Sequence, residues 1–119
     1  MKTITENLIQ QKIALFFRNT YCLKHHSPRC CIFAVPNDSE NAREQQRKVA
    51  TGLLAGVSDL IVLIPNKTIF FEVKTLTGVQ SKAQKEFQKQ VEDLGYDYHL
   101  VRSLKEFQEI IQLKYCLSK

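Results

Sequence analysis

The 119-residue chain has no apolar run approaching the roughly 20 residues that a bilayer span requires. Its start, "MKTITENLIQQK", lacks the uninterrupted apolar block of a secretory signal. Together these absences make the cytoplasm the expected location. There the four cysteines, Cys22, Cys30, Cys31 and Cys116, are expected to be reduced thiols. No internal repeat, low-complexity tract or linker interrupts the chain, so a single domain over 1–119 is expected. No cysteine pair has the C-x-x-C spacing of a zinc ribbon. Cys22, His25, His26, Cys30 and Cys31 do fall within ten positions, in "CLKHHSPRCC". An ordinary loop with a buried cysteine is the simpler reading of that stretch, with a structural zinc site as the alternative.

What is present is the composition of a folded protein. Hydrophobic residues make up 44% and charged residues 24%, which excludes a disordered chain. The net charge of +5 points to an acidic partner, with nucleic acid first among the candidates. A chain this short buries a modest core, which a dimer would enlarge.

The order of elements is legible. A helix is predicted from Thr3 to about Asn19, opened by a Thr3/Glu6 capping box, with Leu8, Ile9, Ile13, Phe16 and Phe17 as its apolar face. A loop and the strand "CIFAV" follow. From Asp38 to about Leu54 the chain is polar and basic, which suits a solvated helix carrying Arg43, Arg47 and Lys48. "DLIVLI" and "TIFFEVKTL" read as two strands of a β-hairpin around Pro65-Asn66-Lys67. A Ser81/Gln84 capping box opens the next helix, whose stripe is Ala83, Phe87, Val91 and Leu94, and Gly95 closes it. The strand "YDYHLV" and a last helix from a Ser103/Glu106 capping box complete the chain. In that helix Leu104, Phe107, Ile110 and Ile111 face inward. The order α-β-α-β-β-α-β-α predicts an α/β fold, a mixed central sheet flanked by helices.

One strand is chemically odd. "IFFEVK" sets an acid and a base into an apolar, aromatic run. Side chains alternate along a strand, so Phe70, Glu72 and Lys74 share a face. With Asn66-Lys67 as a two-residue turn, Pro65 faces Thr68 and Asp59 lies opposite Lys74, with Glu72 diagonal to it. A one-residue slip would send Asp59 to the other face. Two carboxylates and a lysine so gathered suit a hard divalent cation such as Mg²⁺, which takes carboxylate, water and phosphate oxygen. Such an ion polarises a phosphoryl group, and the lysine can position water or offset charge on the phosphorane. The competing reading is a structural salt bridge of Lys74 with Glu72 or Asp59.

The ordered motifs resemble those of the VRR-NUC family of the PD-(D/E)XK nuclease superfamily. The matching parts are Gly56, Asp59-Leu60, Glu72-x-Lys74, Ser81-x-x-Gln84 and Gly95, with "AVPNDSENAR" upstream similar to the family's Val-Pro-Asn segment and arginine. Glu6 matches a helical glutamate by position. The resemblance covers nearly the whole chain and implies a stand-alone VRR-NUC domain with a restriction-endonuclease-like core. It implies Asp59 and Glu72 as metal ligands for Mg²⁺ or Mn²⁺, with the Val73 backbone carbonyl and Glu6 completing the set. It implies Lys74 as the catalytic lysine and Gln84 beside the site. Capping remains an alternative role for both Glu6 and Gln84. Ser58 departs from the family's usual proline, which implies a freer approach to the strand.

The substrate implied is DNA. Arg43, Arg47, Lys48, Lys82, Lys85 and Lys89 are candidates for phosphate contacts, which position DNA without reading bases. A solvated charged face is the alternative. Stand-alone members resemble Holliday-junction resolvases, which implies a homodimer cutting four-way junctions. A flap or other branched-DNA nuclease acting as a monomer or with a partner protein, and a DNA-binding module that does not cut, are the alternatives. The compact form would suit a phage or mobile element. His99 reads as a packed or rim histidine rather than a ligand.

Overall fold

A computed structural model describes residues 3–36, 42–52 and 54–117. The elements are α1 (Ile4–Tyr21), β1 (Cys31–Ala34), α2 (Ala42–Ala50), β2 (Leu60–Ile64), β3 (Lys67–Val73), α3 (Lys82–Asp93), β4 (Asp97–Val101) and α4 (Leu104–Glu109). A π-helical turn, Ile110–Lys114, continues from α4. The predicted start of α2 at Asp38 falls in 37–41, outside the described residues.

The sheet order is β1-β2-β3-β4. β1 and β2, and β2 and β3, pair antiparallel, while β3 and β4 pair parallel across α3. The sheet is therefore mixed, as the element order predicts. On one face, Ile32, Leu60, Val62, Ile69, Phe71 and Val73 form the main core with Ile13 and Phe17 of α1, Phe107 of α4 and Ile111. On the other face Phe70 and Tyr98 meet Phe87 and Val91 of α3. The strand period of two separates these sets, so Phe70, Glu72 and Tyr98 lie on the α3 face.

Two helices begin where their capping boxes predict. The Thr3 and Ser81 hydroxyls accept from the Glu6 and Gln84 backbone N–H groups, and both N3 side chains reach back to the cap backbone. The third box is half made. Ser103 Oγ accepts from Glu106 N, but the Glu106 carboxylate takes the Arg102 N–H at 2.5 Å instead of that of Ser103. Helix α3 ends on a left-handed Gly95, with Tyr96 N–H bonded to Val91 O and Gly95 N–H to Glu92 O. Two apolar assignments need correction: Leu8 and Leu94 are exposed, lying at the margins of their stripes.

The hairpin turn also needs correction. Ile64 pairs with Lys67, so the loop is Pro65-Asn66 and not Asn66-Lys67. Proline cannot donate to a ladder and fits the first turn position, while Asn66 accepts a left-handed φ of 61°. Leu60 therefore pairs with Phe71, and the register differs from the expected one by two residues. A shift of two preserves the face. Asp59 comes beside Glu72 rather than opposite Lys74.

Candidate active site

The carboxyl end of β3 collects the polar residues. Asp59 precedes β2, its backbone carbonyl accepting from Val35 N–H at 2.9 Å. Its Oδ2 accepts from the Val73 N–H at 2.7 Å. The acid is thus anchored from both sides, and it is almost fully buried. In an extended strand the N–H and C=O of one residue point to the same edge. The Val73 carbonyl therefore faces the edge on which Asp59 sits.

Glu72 is only 1% exposed. Its Oε2 accepts from Gln84 Nε2 at 3.0 Å, and Lys74 Nζ lies 3.9 Å from the same oxygen. Its Oε1 lies 3.4 Å from the Tyr98 hydroxyl. Burial, and then the charge of Glu72, hold the Tyr98 phenol well above the usual tyrosine range; the charge of Asp59 adds to the effect. Lys74 forms the loose ion pair with Glu72 that the structural reading foresaw.

Gly56 explains how α3 comes so close. Its φ is +81°, and a Cβ there would lie 2.2 Å from Ala83 O and 2.8 Å from Gln84 N. Only glycine lets the segment before Asp59 touch the first turn of α3. Ser58 is fully buried, with its hydroxyl 3.5 Å from the Leu60 carbonyl. The position before Asp59 is thus packed, not the freer approach expected from the missing proline.

Glu6 behaves differently from Asp59 and Glu72. It is buried at the start of α1, on the helical side it shares with Ile9, Ile13 and Phe16. Its Oε1 accepts from Thr3 N–H at 3.2 Å. Among the described residues no three of His, Cys, Asp and Glu come together as a metal cluster. Asp59 and Glu72 are gathered with Lys74 and Gln84, and Glu6 caps its own helix.

That same observation covers the cysteine loop. Cys22, Cys30 and Cys31 border a cavity of about 590 Å³ with Arg18 and Arg29, and all four cysteines are free thiols. Burial, then the neighbouring Cys30, push the Cys22 thiol up to about 11. His26 Nδ1 accepts from Leu23 N–H, a loop bond.

Along its whole length the chain superposes on a solved structure described as a "VRR_NUC domain protein". The TM-score is 0.74 at 20% identity, covering 100% of this chain and 94% of the other. Its fold is that of a VRR_NUC domain protein. No family model matches the sequence, and no curated protein does. On this VRR_NUC frame, Lys82 and Lys85 are exposed on the first turns of α3, next to Gln84. Arg43 and Arg47 are exposed on α2, which packs against no other described element. Lys48 is drawn into an ion pair with Glu44 at 2.9 Å, and Lys89 into one with Asp93 at 2.8 Å. No helix among the described residues is long and apolar enough to cross a membrane.

Tyr98 and Gln80 are the polar site residues that sequence reasoning misses. Tyr98 sits in an alternating strand like any core tyrosine. Only the parallel register Phe70↔Tyr98 brings it beside Glu72, and no local signal encodes that register.

Proposed function

We propose that this protein is a Mg²⁺- or Mn²⁺-dependent endodeoxyribonuclease that hydrolyses phosphodiester bonds in branched DNA, acting on four-way junctions as a homodimer. One observation carries the reading. Two buried carboxylates, Asp59 and Glu72, meet around Val73, with Lys74 and Gln84 on the second acid. Buried acids cost stability unless partnered, so a site that collects two of them beside a lysine is a functional candidate. The VRR_NUC architecture supports the same assignment.

The donor set fits a hard divalent cation, because it is all oxygen: Asp59, Glu72 and the Val73 carbonyl. Such an ion, when bound, polarises the phosphoryl group under attack. Asp59, tied to the Val73 N–H, holds that edge of the strand in place. Lys74, mostly buried, offers a fixed positive charge for the attacking water or the charge developing on the phosphorane. Gln84 fixes one oxygen of Glu72. Glu6 enters the reading as a third acid, carried by the family resemblance and not by a contact with Asp59 or Glu72. Its cap to Thr3 limits it to an outer, water-bridged part. Lys82, Lys85, Arg43 and Arg47 would bind flanking phosphates, with Lys48 available once released from Glu44. Contacts of this kind recognise the path of the backbone, which favours selectivity for DNA structure over base sequence. A four-way junction needs two symmetric nicks, which a two-fold dimer supplies.

The test is cleavage of linear duplex, flap and four-way junction DNA with Mg²⁺, Mn²⁺ or chelator. Junction cleavage is expected with either metal and none with chelator. Asp59→Asn and Glu72→Gln should each lose at least about a hundredfold in rate, in line with removing a charged group that acts in the transition state. Glu6→Gln, which keeps a capping acceptor, should lose far less. Cleavage that persists in Asp59→Asn or Glu72→Gln protein would falsify the assignment. Tight junction binding without cutting in either metal would favour a binding module. A flap preference, or a monomer by light scattering, would count against the junction reading.

A further inference from the structure

Tyr98 stands between the Glu72 carboxylate and a chain of amides that reaches the surface. The residue is 6% exposed and its ring lies against Phe87, with centroids 6.3 Å apart. A buried phenol requires partners for its hydroxyl. Gln80 Nε2 lies 3.1 Å from that oxygen and 2.9 Å from Gln88 Oε1. Gln88 Nε2 in turn donates to Glu92 Oε2 at 3.3 Å.

The directions follow from donor and acceptor counts. Glu92 accepts, so the Gln88 amide turns its nitrogen outward and its oxygen toward Gln80. Gln80 must then present its nitrogen, which donates to both Gln88 and the Tyr98 oxygen. The single phenolic proton of Tyr98 is left for Glu72 Oε1, at 3.4 Å. Glu72 Oε2 is meanwhile held by Gln84 at 3.0 Å. One donor comes from β4 and the other from α3, and each takes a different oxygen. Two such points fix the plane of a carboxylate.

We propose that Tyr98, aligned by Gln80, is a positioning residue that sets the plane of the Glu72 carboxylate and thereby the strength of divalent-cation capture. This rests on reading Asp59 and Glu72 as the cation's ligands. Groups that orient a ligand through a hydrogen bond typically control metal affinity by ten- to a hundredfold.

The test is Mn²⁺ binding to the DNA-free protein, read by electron paramagnetic resonance, alongside Mg²⁺ titration of junction cleavage. Tyr98→Phe removes one oxygen and keeps the ring. It should weaken Mn²⁺ binding by about tenfold and raise the Mg²⁺ requirement of cleavage by a similar factor, with excess Mg²⁺ recovering rate. Gln80→Leu leaves Tyr98 in place but unaligned, and should shift both readouts the same way by a smaller factor. A purely structural role for Tyr98 would lower melting temperature and leave the metal requirement where it was. Wild-type Mn²⁺ affinity in folded Tyr98→Phe and Gln80→Leu proteins overturns the inference. Glu72→Gln separates the two levels. If it abolishes Mn²⁺ binding while Tyr98→Phe changes nothing, the positioning role alone fails. If Glu72→Gln binds Mn²⁺ like wild type, the metal-site reading fails with it.

Discussion

Gln84 carries two roles that the sequence presents as rivals. Its Oε1 accepts from Ser81 N–H at 2.8 Å and caps α3, while its Nε2 donates to Glu72 at 3.0 Å. An amide is suited to this because it has an acceptor at one atom and donors at the other. The two roles can be separated. Gln84→Glu keeps an acceptor for the cap but sets a negative charge against Glu72. A hydrogen bond to a charged group is worth roughly 1.5–3 kcal/mol, and a like charge adds to its loss. Cleavage is therefore expected to fall by at least about tenfold, with the helical circular dichroism signal retained. Unchanged cleavage would mean that Gln84 serves α3 alone. Lys74 shows the same duality at a weaker contact, since a 3.9 Å ion pair with Glu72 leaves its ammonium available to a phosphate.

Elements were legible wherever local chemistry specifies them. Thr3/Glu6, Ser81/Gln84 and Gly95 mark helix ends because caps are made within a few residues. Asp59, Glu72 and Lys74 were recognisable because strand alternation survives a register shift of two. What stayed hidden depends on distant contacts. The turn at Pro65-Asn66, the π-helical turn after α4 and the clamp made by Arg102 belong to this group. Arg102 Nη1 bonds the carbonyls of Thr75, Leu76 and Gly78, holding the loop that leaves Lys74. Gly56 was visible as a motif residue, but its reason was not. It lies against the backbone of Ala83 and Gln84, so it sets the distance between the Asp59 segment and α3. Gly56→Ala meets both a left-handed φ and a carbonyl at 2.2 Å. The φ alone costs about 1–2 kcal/mol, and the clash forces α3 outward. We expect at least about 2 kcal/mol of destabilisation in urea unfolding. Cleavage should fall even at temperatures where the variant is folded, because Gln84 is carried away from Glu72. A destabilised variant with full activity would show that the Gly56 contact supports the fold without positioning the site.

At the scale of the whole molecule, the site and a second polar network sit at opposite ends of β3. The far end is closed by Asp97 at the start of β4, which accepts from the Tyr115 hydroxyl at 2.6 Å and pairs with Lys67 at 3.3 Å. Tyr115 gives its proton to Asp97, so its oxygen accepts from His99 Nε2 at 2.7 Å. His99 also stacks on Phe71, with ring centroids 5.4 Å apart. This ties the segment after α4 to the sheet. His99 is the packed rim histidine that its place in β4 implies. Burial, then the charge of Lys114, lower its pKa from the ordinary 6.5, so the folded protein favours neutral imidazole. Its contribution to stability is full above pH 6.5 and is lost as pH falls through the lowered value. Asp97 is held below its ordinary 3.8, first by the Tyr115 hydroxyl, so its contribution persists until more acid pH. Melting temperature should therefore be level near pH 8 and decline as pH drops below about 6.5, ahead of carboxylate protonation. His99→Gln should start less stable at pH 8 and lose less between pH 7.5 and 5. Thermal melts of both proteins across that range would decide it. An equal decline in the variant would place the acid sensitivity elsewhere than in the His99–Tyr115–Asp97 network.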